Sequence, residues 1–172
     1  MSAQSVMTPS EAVYQGIKDA CIDFIVSVPC ANLKELIPMV DSDPDIIHVP
    51  VTREEEGVGI CAGAYMGGKR PAMLMQNSGL GNSINALASL DILYGIPLLM
   101  IMSHRGVEGE PIVAQLPMGQ LTAPLLETLD IPYFLPESKQ DATDMIVTAM
   151  DDAFNRKSPV AVLLPIPFWR QA

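Results

Sequence analysis

Short, continuous apolar runs alternate with helical patterns along the whole chain. The apolar runs have the length of strands and lie at residues 23–29, 45–51, 71–77, 96–103, 131–136 and 159–165. Helical patterns separate them, at residues 8–20, 32–40, 52–68, 83–93, 119–130 and 139–157. A strand that is apolar on both faces is typical of a parallel sheet covered by helices on each side. The alternation therefore predicts one α/β domain over residues 1–172, a three-layer fold around a six-stranded, mostly parallel sheet.

The composition narrows the class of protein. Hydrophobic residues make up 49% of the 172 residues and charged residues 17%, which is typical of a globular chain with a large core. The formal net charge of −10 argues against a nucleic-acid partner, which needs a basic face to neutralise phosphates. The three cysteines form no C-x-x-C pair, so we predict neither a disulfide framework nor a metal site. The apolar runs are too short to span a bilayer and no secretion signal is recognisable, so we expect a cytoplasmic protein without a membrane partner.

The segment GAYMGGK at residues 63–69 has the G-x-x-x-x-G-K spacing of a phosphate-binding loop. Such a loop works only between a strand and the N-terminus of a helix, where backbone N–H groups point at the anion. Here the segment ends a helical pattern and leads into a strand, and Arg70 stands where a Ser or Thr would bind magnesium. We therefore interpret Gly67 and Gly68 as a helix C-cap and turn.

Three of the ten cationic residues follow directly on predicted strands. Lys34 comes after the first strand, Arg53 after the second and Arg105 after the fourth. Ligands of a parallel α/β sheet collect outside the carboxyl ends of its strands. One cation there is commonly a solvated loop residue, but three on one edge of so acidic a chain favour an anionic ligand. The segment NSGLGN at 77–82 follows the third strand at the same edge, where it forms either a tight turn or the wall of a pocket.

A run of three glutamates, at residues 54–56, opens the third helical pattern. At about 100° per residue, Glu55 shares one narrow face with Val58, Ala62 and Tyr65. If that face is turned to the core or to an interface, Glu55 is the carboxyl group that is carried inward. Burial raises a carboxyl pKa while a helix N-terminus favours the carboxylate, and this opposition poises a group for proton transfer. The alternative is that all three glutamates cap the helix dipole in solvent.

The sequence around this helix resembles the pyrimidine-binding domain of thiamine-diphosphate enzymes. In that family a glutamate at the start of a helix lies ten residues before a tyrosine, as Glu55 lies before Tyr65, with small residues between them. The resemblance covers nearly the whole chain. It also rests on VPCANLK at 28–34, QNSGLGN at 76–82, MSHRG at 102–106 and LPMGQLTAPLLETLDIPY at 116–133.

Within the family these segments are most similar to the alpha subunits of sulfopyruvate decarboxylases, and next to phosphonopyruvate decarboxylases. Cys30 stands where the phosphonopyruvate enzymes usually carry an acidic residue, which favours a sulfonate substrate. The resemblance implies thiamine diphosphate as cofactor and the decarboxylation of a small anionic 2-oxo acid. The reaction it implies first is the conversion of 3-sulfopyruvate to sulfoacetaldehyde and CO₂ in coenzyme M synthesis, with phosphonopyruvate as the alternative substrate.

The resemblance implies that Glu55 holds N1′ of the cofactor's pyrimidine and promotes the imino tautomer that takes the proton from thiazolium C2. Positions at the sheet edge add further candidates. The fork of Arg105 matches a carboxylate or sulfonate, and Lys34 and Asn32 are expected to help bind the substrate. His104 is a second catalytic candidate, as a proton shuttle, unless it is simply packed or turned to solvent. The residues expected to line the cofactor are Gln76, Asn77, Ser78 and Gly79.

The chain contains no G-D-G motif, with which these enzymes bind magnesium and the diphosphate on a second domain. The resemblance therefore implies a separate beta subunit that carries the diphosphate and Mg²⁺ site, with the cofactor bound between the subunits of a hetero-oligomer. The 11 methionines and the apolar composition suit a protein with extensive interfaces. The alternative is a non-catalytic binding or scaffold protein that retains the fold, and an inward Glu55 argues against it.

Overall fold

A six-stranded parallel sheet forms the centre of the molecule. The structure, a computed structural model, describes residues 7–171. The strands are β1 (Phe24–Ser27), β2 (Ile47–Pro50), β3 (Pro71–Gln76), β4 (Leu98–His104), β5 (Tyr133–Phe134) and β6 (Pro159–Pro165), in the order β2-β1-β3-β4-β6-β5. Every neighbouring pair is parallel. The predicted α/β class and its six strands are confirmed.

Helices cover both faces of the sheet. One face carries α1 (Pro9–Asp19), α2 (Leu36–Asp41) and α6 (Lys139–Arg156). The other face carries α3 (Glu54–Met66), α4 (Gly79–Ala86) and α5 (Leu116–Thr128). A short helix, α7 (Ile166–Trp169), follows β6 and had no counterpart among the predicted elements. Among the described residues, no helix is both long enough and apolar enough to cross a membrane.

Side chains of the strands alternate between two cores, as expected for strands that are buried on both faces. The core beneath α1 and α6 is aliphatic and contains Ile25, Leu74, Ile101, Val162 and Leu164. The core beneath α3, α4 and α5 is rich in methionine and contains Met73, Met75, Met100 and Met102. All of these side chains are fully buried, so these four methionines fill the interior.

Local signals explain where α1 begins and where α3 ends. At the start of α1, Thr8 and Glu11 form a capping box by exchanging side chain–backbone hydrogen bonds. Gly67 is the C-cap of α3, and Gly68 follows in the left-handed region at φ +86°, where a residue with a Cβ is strained. The GAYMGGK segment therefore lies at the C-terminal end of a helix, as predicted, and not in a phosphate-binding loop.

Helix α4 begins at Gly79, four residues earlier than predicted, and continues as a π-helical turn over Leu87–Ile92. Glycine is a poor helix former, which is why the pattern at 77–82 gave no helix. A side chain at Gly79 would overlap that of Glu54. Of the two roles left open for this segment, the structure shows the tight turn, at Asn77 and Ser78 between β3 and α4, with α4 packed closely against the start of α3. A role as the wall of a pocket stays a prediction.

The connections from β1 and β3 leave the sheet in opposite directions. The chain passes from β1 through α2 to β2, on one side, and from β3 through α4 to β4, on the other. A crevice opens where neighbouring parallel strands diverge in this way, and ligands of open α/β sheets bind there. The carboxyl ends of β1 and β3 are therefore the first place to look for a site.

Candidate active site

The crevice between β1 and β3 is lined by polar side chains that hydrogen-bond to one another. Cys30 Sγ lies 3.5 Å from Gln76 Oε1, across the two strand ends. Gln76 Nε2 donates to Ser78 Oγ at 2.8 Å and to Gln115 Oε1 at 3.0 Å. Gln76 and Ser78 were predicted to line a cofactor, and the structure places them together. Gln115 was not predicted, because it lies far along the chain, directly before α5.

Asn77 ties the ends of β3 and β4 together from inside the protein. Its side chain is fully buried, and Oδ1 accepts a hydrogen bond from the backbone N–H of Arg105 at 2.9 Å. Nδ2 donates to the carbonyl oxygen of Arg105 at 3.1 Å and to Thr122 Oγ1 at 2.8 Å. The predicted contact of Asn77 with a cofactor stays a prediction. In the structure this side chain positions the backbone of Arg105.

Arg105 is bound to a carboxylate of its own chain. Its Nε and Nη2 each donate to Glu110 at 2.7 Å, and Glu110 also accepts from the backbone N–H groups of Gly106 and Ile112 at 3.0 Å. The Glu110 side chain is fully buried. The Arg105 guanidinium, helped by the two backbone donors, lowers the pKa of Glu110 to about 2. The predicted substrate clamp therefore has two of its donors occupied.

His104 lies at the buried end of β4. Its Nε2 is 3.4 Å from the carbonyl oxygen of Gly119, and its Nδ1 is buried without a hydrogen-bond partner in the described part of the chain. Burial lowers the pKa of His104, so the ring is neutral at pH 7. A side chain at either Gly106 or Gly119 would overlap the backbone of the other. This close contact fixes the loop that holds His104 and Arg105.

The glutamate run divides between interior and surface in a way that the helical wheel did not predict. Glu54 is buried beneath Gly79, and Glu54 Oε2 accepts a hydrogen bond from Asn82 Nδ2 at 3.1 Å. The expectation that Glu55 is the buried glutamate was therefore wrong. The buried residues of α3 are Glu54, Gly57, Val58, Cys61 and Ala62. The small residues three and seven positions after Glu54, Gly57 and Cys61, were the signal for its burial, because they mark the face of α3 that packs closely on the sheet, against Met73 and Ala72 of β3.

Glu55 lies at the rim with one carboxylate oxygen bound and the other unpaired. Oε1 accepts from Arg53 Nε at 2.5 Å, and the Glu55 side chain is 29% exposed. Oε2 is buried and has no hydrogen-bond partner among residues 7–171. The backbone N–H of Glu55 itself, and then Arg53, lower the pKa of this carboxyl group, so it is ionised at pH 7. A buried, ionised oxygen without a donor is the group that an N–H of a ligand would satisfy.

A cavity of about 400 Å³ opens beside this edge, between the loops after β1 and β4 and the residues after β6. Lys34, Asn32 and Arg105 all line it, so the three residues predicted to bind a substrate lie together. Asn32 is held in place by a hydrogen bond from its Nδ2 to Ser103 Oγ at 2.9 Å. Arg170 lines the same cavity and was not predicted, because it follows α7, which the apolar pattern did not reveal.

The sequence and the fold are both similar to those of known proteins. The family described as "Thiamine pyrophosphate enzyme, N-terminal TPP binding domain" matches residues 7–125. The sulfopyruvate decarboxylase subunit alpha of Methanococcus maripaludis is 55% identical over 163 residues, which are 95% of this chain and 98% of that protein. The protein of the same name from Methanothermobacter thermautotrophicus is 58% identical over 160 residues, 93% of this chain and 97% of its own.

Two further matches involve longer chains. A sulfopyruvate decarboxylase of Methanosarcina acetivorans is 39% identical over 164 residues, which are 95% of this chain but 42% of that protein. Among solved structures, 2-oxoglutarate:ferredoxin oxidoreductase from Magnetococcus marinus matches with a TM-score of 0.74 at 16% identity, over 94% of this chain and 29% of that one, which shows a shared fold. The family predicted from the sequence is thus confirmed: the chain belongs to the thiamine pyrophosphate enzymes, with their N-terminal TPP-binding domain, and among them to the sulfopyruvate decarboxylase alpha subunits.

Proposed function

We propose that this chain is the alpha subunit of a thiamine-diphosphate-dependent decarboxylase that converts 3-sulfopyruvate to sulfoacetaldehyde and CO₂. The observation that carries the proposal is the buried, unpaired Oε2 of Glu55 at the carboxyl edge of a sheet of this family. The high identity to two proteins named sulfopyruvate decarboxylase subunit alpha supports the choice of substrate. The setting of the reaction is then coenzyme M synthesis in the cytoplasm.

The residues at this edge fit the pyrimidine end of the cofactor. Glu55 Oε2 lacks a donor, which a protonated ring nitrogen supplies, and Gln76 and Ser78 offer amide and hydroxyl groups in the adjoining crevice. Gly79 lies where α4 approaches Glu54, the residue directly before Glu55. When bound, thiamine diphosphate supplies the electron sink for the pair released as CO₂ leaves. His104, with an unpaired Nδ1, is the proposed group for moving a proton at the same edge.

A separate beta subunit completes the site in this proposal and holds the diphosphate through Mg²⁺. This chain has no G-D-G motif, and the relative from Methanosarcina acetivorans has more than half of its length outside the matched region, which is room for a second domain. Large apolar side chains are exposed on and beyond α3, as an interface requires: Ile60, Met66, Leu93 and Tyr94. The assembly is therefore a hetero-oligomer with the cofactor between its subunits.

Release of CO₂ from 3-sulfopyruvate tests the proposal. The chain is co-expressed with a beta subunit that carries G-D-G, and the purified complex receives thiamine diphosphate and Mg²⁺. Phosphonopyruvate and pyruvate are assayed in parallel, and each subunit alone serves as a control. We expect turnover that requires both chains and is fastest with 3-sulfopyruvate. A stable complex that releases no CO₂ from any of the three acids would overturn the proposal in favour of a binding or scaffold protein, and faster turnover of phosphonopyruvate would change the substrate.

A further inference from the structure

The cavity beside the loops after β1 and β4 gathers positive charge in a chain whose net charge is −10. Three of its lining residues are cations, namely Lys34, Arg105 and Arg170, and Glu35 is the one acidic residue among them. Asn32 adds an uncharged amide to the wall. The cavity has a volume of about 400 Å³, which is in the range of small-molecule sites. An anion of a few atoms is the ligand that this lining favours.

The three cations differ in how much of their charge is already neutralised. Arg105 is held by the two hydrogen bonds to the buried Glu110. Lys34 makes no ion pair with any described residue, and Arg170 donates only to the carbonyl oxygen of Gly109, from Nη2 at 3.3 Å. The positive charge that is open to a ligand therefore belongs to Lys34 and Arg170, while Arg105, held by Glu110, is a fixed part of the cavity wall.

The proposed substrate, on which this inference rests, has two anionic ends with different fates. Its carboxylate leaves as uncharged CO₂, so a cation bound to that group stabilises the ground state more than the transition state and slows the reaction. Its sulfonate keeps the same charge from substrate to product, so cations that hold the sulfonate place no penalty on the chemical step. Binding energy at such a remote group can be used to position the reacting carbons.

We propose that this cavity receives the sulfonate of the substrate and that Lys34 and Arg170 determine specificity by recognising its charge. Arg105 then acts as a positioning residue, since its fork is committed to Glu110 and it shapes the cavity wall. The carboxylate of the 2-oxo acid lies outside the cavity, away from these cations. This arrangement separates the group that is retained from the group that is lost.

The test compares two substrates in the complex of both subunits. Values of kcat/KM are measured for 3-sulfopyruvate and for pyruvate, which lacks the anionic tail, in Lys34→Gln and Arg170→Gln. A charge-matched control is Arg156→Gln, at the end of α6 near the opposite edge of the sheet. We expect each cavity variant to lower kcat/KM for 3-sulfopyruvate about tenfold more than for pyruvate, mainly through KM, because a hydrogen bond to a charged group is worth a factor of about this size. Arg170→Lys, which keeps the charge, should recover part of the loss.

The sulfonate site would be overturned if the cavity variants lost kcat/KM equally for both substrates. It would also be overturned if the ratio of kcat/KM for 3-sulfopyruvate to that for pyruvate in both cavity variants matched the ratio in Arg156→Gln. Either result would leave the proposed decarboxylase intact. Binding of ethanesulfonate to the complex, measured by calorimetry, tests the sulfonate site independently of decarboxylation. A complex that binds ethanesulfonate through Lys34 and Arg170 but decarboxylates nothing would sink the proposed function and keep the anion site. Ethanesulfonate binding that is absent, or that survives both substitutions, contradicts the site.

Discussion

Two arginine–glutamate pairs lie at the carboxyl edge of the sheet, and they are built in opposite ways. In the pair of Arg105 and Glu110, two hydrogen bonds join the side chains, two backbone N–H groups add to them, and the carboxylate is fully buried. In the pair of Arg53 and Glu55, the arginine side chain is 65% exposed, and within the described part of the chain one carboxylate oxygen has a partner while the other has none. The first pair is closed and the second is open.

The difference separates a structural ion pair from one that can bind a ligand. A carboxylate whose oxygens are all bound has nothing left to offer a ligand, and its task is to hold the loop between Gly106 and Ile112. A carboxylate with one buried, unpaired oxygen can still accept a hydrogen bond from a ligand. Both pairs have the same charges in the sequence, so only the arrangement of their donors distinguishes them.

The largest effect is expected where the open pair is changed. Glu55→Gln removes the charge from the unpaired oxygen, so we expect the rate of CO₂ release by the complex to fall by about 100-fold or more, the range for loss of a group that drives proton transfer. The matched control is Glu56→Gln, an exposed neighbour whose carboxylate accepts from Thr52. A Glu55→Gln complex with more than half of the original rate would show that the open pair has no part in catalysis.

The closed pair is expected to affect stability. Glu110→Gln leaves Arg105 buried without its counter-ion, and we expect the free energy of unfolding at pH 7 to fall by about 3 kcal/mol. Because folding lowers the pKa of Glu110 from 4.5 to about 2, the pair's contribution is complete above pH 4.5 and is lost as the pH falls towards 2. Urea unfolding at several pH values measures this. The exposed Glu108→Gln serves as control, and a deficit that is independent of pH would contradict the assignment.

A third carboxyl group, that of Asp91, is buried and forms no ion pair with any described residue. Both of its oxygens lack partners within residues 7–171, and burial raises its pKa from 3.8 to about 7. The folded state therefore holds this proton more tightly than the unfolded chain, so stability decreases as the pH rises from about 4 to 7. We expect Asp91→Asn to be more stable than the original chain by about 2 kcal/mol above pH 7, with the gain disappearing towards pH 4. Thermal unfolding across this range checks it, and a destabilised Asp91→Asn at pH 8 would contradict it.

The smallest effect is expected for Arg53→Gln. Exposed ion pairs contribute little to stability, so we expect the urea midpoint to stay within error of the original value. The rate of CO₂ release should change by less than about threefold, because the unpaired oxygen of Glu55 remains in place. A larger loss of activity, measured beside Glu55→Gln in the same complex, would show that Arg53 orients the carboxylate.

The order of the strands and helices along the chain could be predicted because each strand is a continuous apolar run, which is typical of a strand buried on both faces. The same pattern placed Asn32, Lys34, Gln76 and Arg105 at one edge of the sheet, since every parallel strand ends there. The GAYMGGK segment was excluded as a phosphate loop by its position after a helical pattern and by Arg70, which replaces the Ser or Thr that would bind magnesium. These conclusions depend on periodicity, on the direction of the chain and on residue type.

Other features depend on contacts between distant segments, and the sequence pattern does not contain them. The burial of Glu54 follows from the approach of α4 at Gly79, which a wheel of α3 alone does not show. The pairing of Arg105 requires the loop to turn at Gly106, where φ is +77°. Arg170 lines the cavity because α7, which the apolar pattern did not reveal, places it there after β6. The helical wheel and the family resemblance both selected Glu55 from the run of glutamates, and its catalytic role stays a prediction.

The most direct measurement of that role is the rate at which the thiazolium C2 proton of bound thiamine diphosphate exchanges with solvent deuterium. It is followed by NMR after acid quench, in complexes that carry either Glu54→Gln or Glu55→Gln. The open carboxylate of Glu55 predicts that Glu55→Gln slows the exchange by about 100-fold or more, whereas Glu54→Gln changes it by only a few-fold. Exchange that is unaffected by Glu55→Gln, or that is lost in Glu54→Gln instead, would contradict the assignment of the active carboxylate.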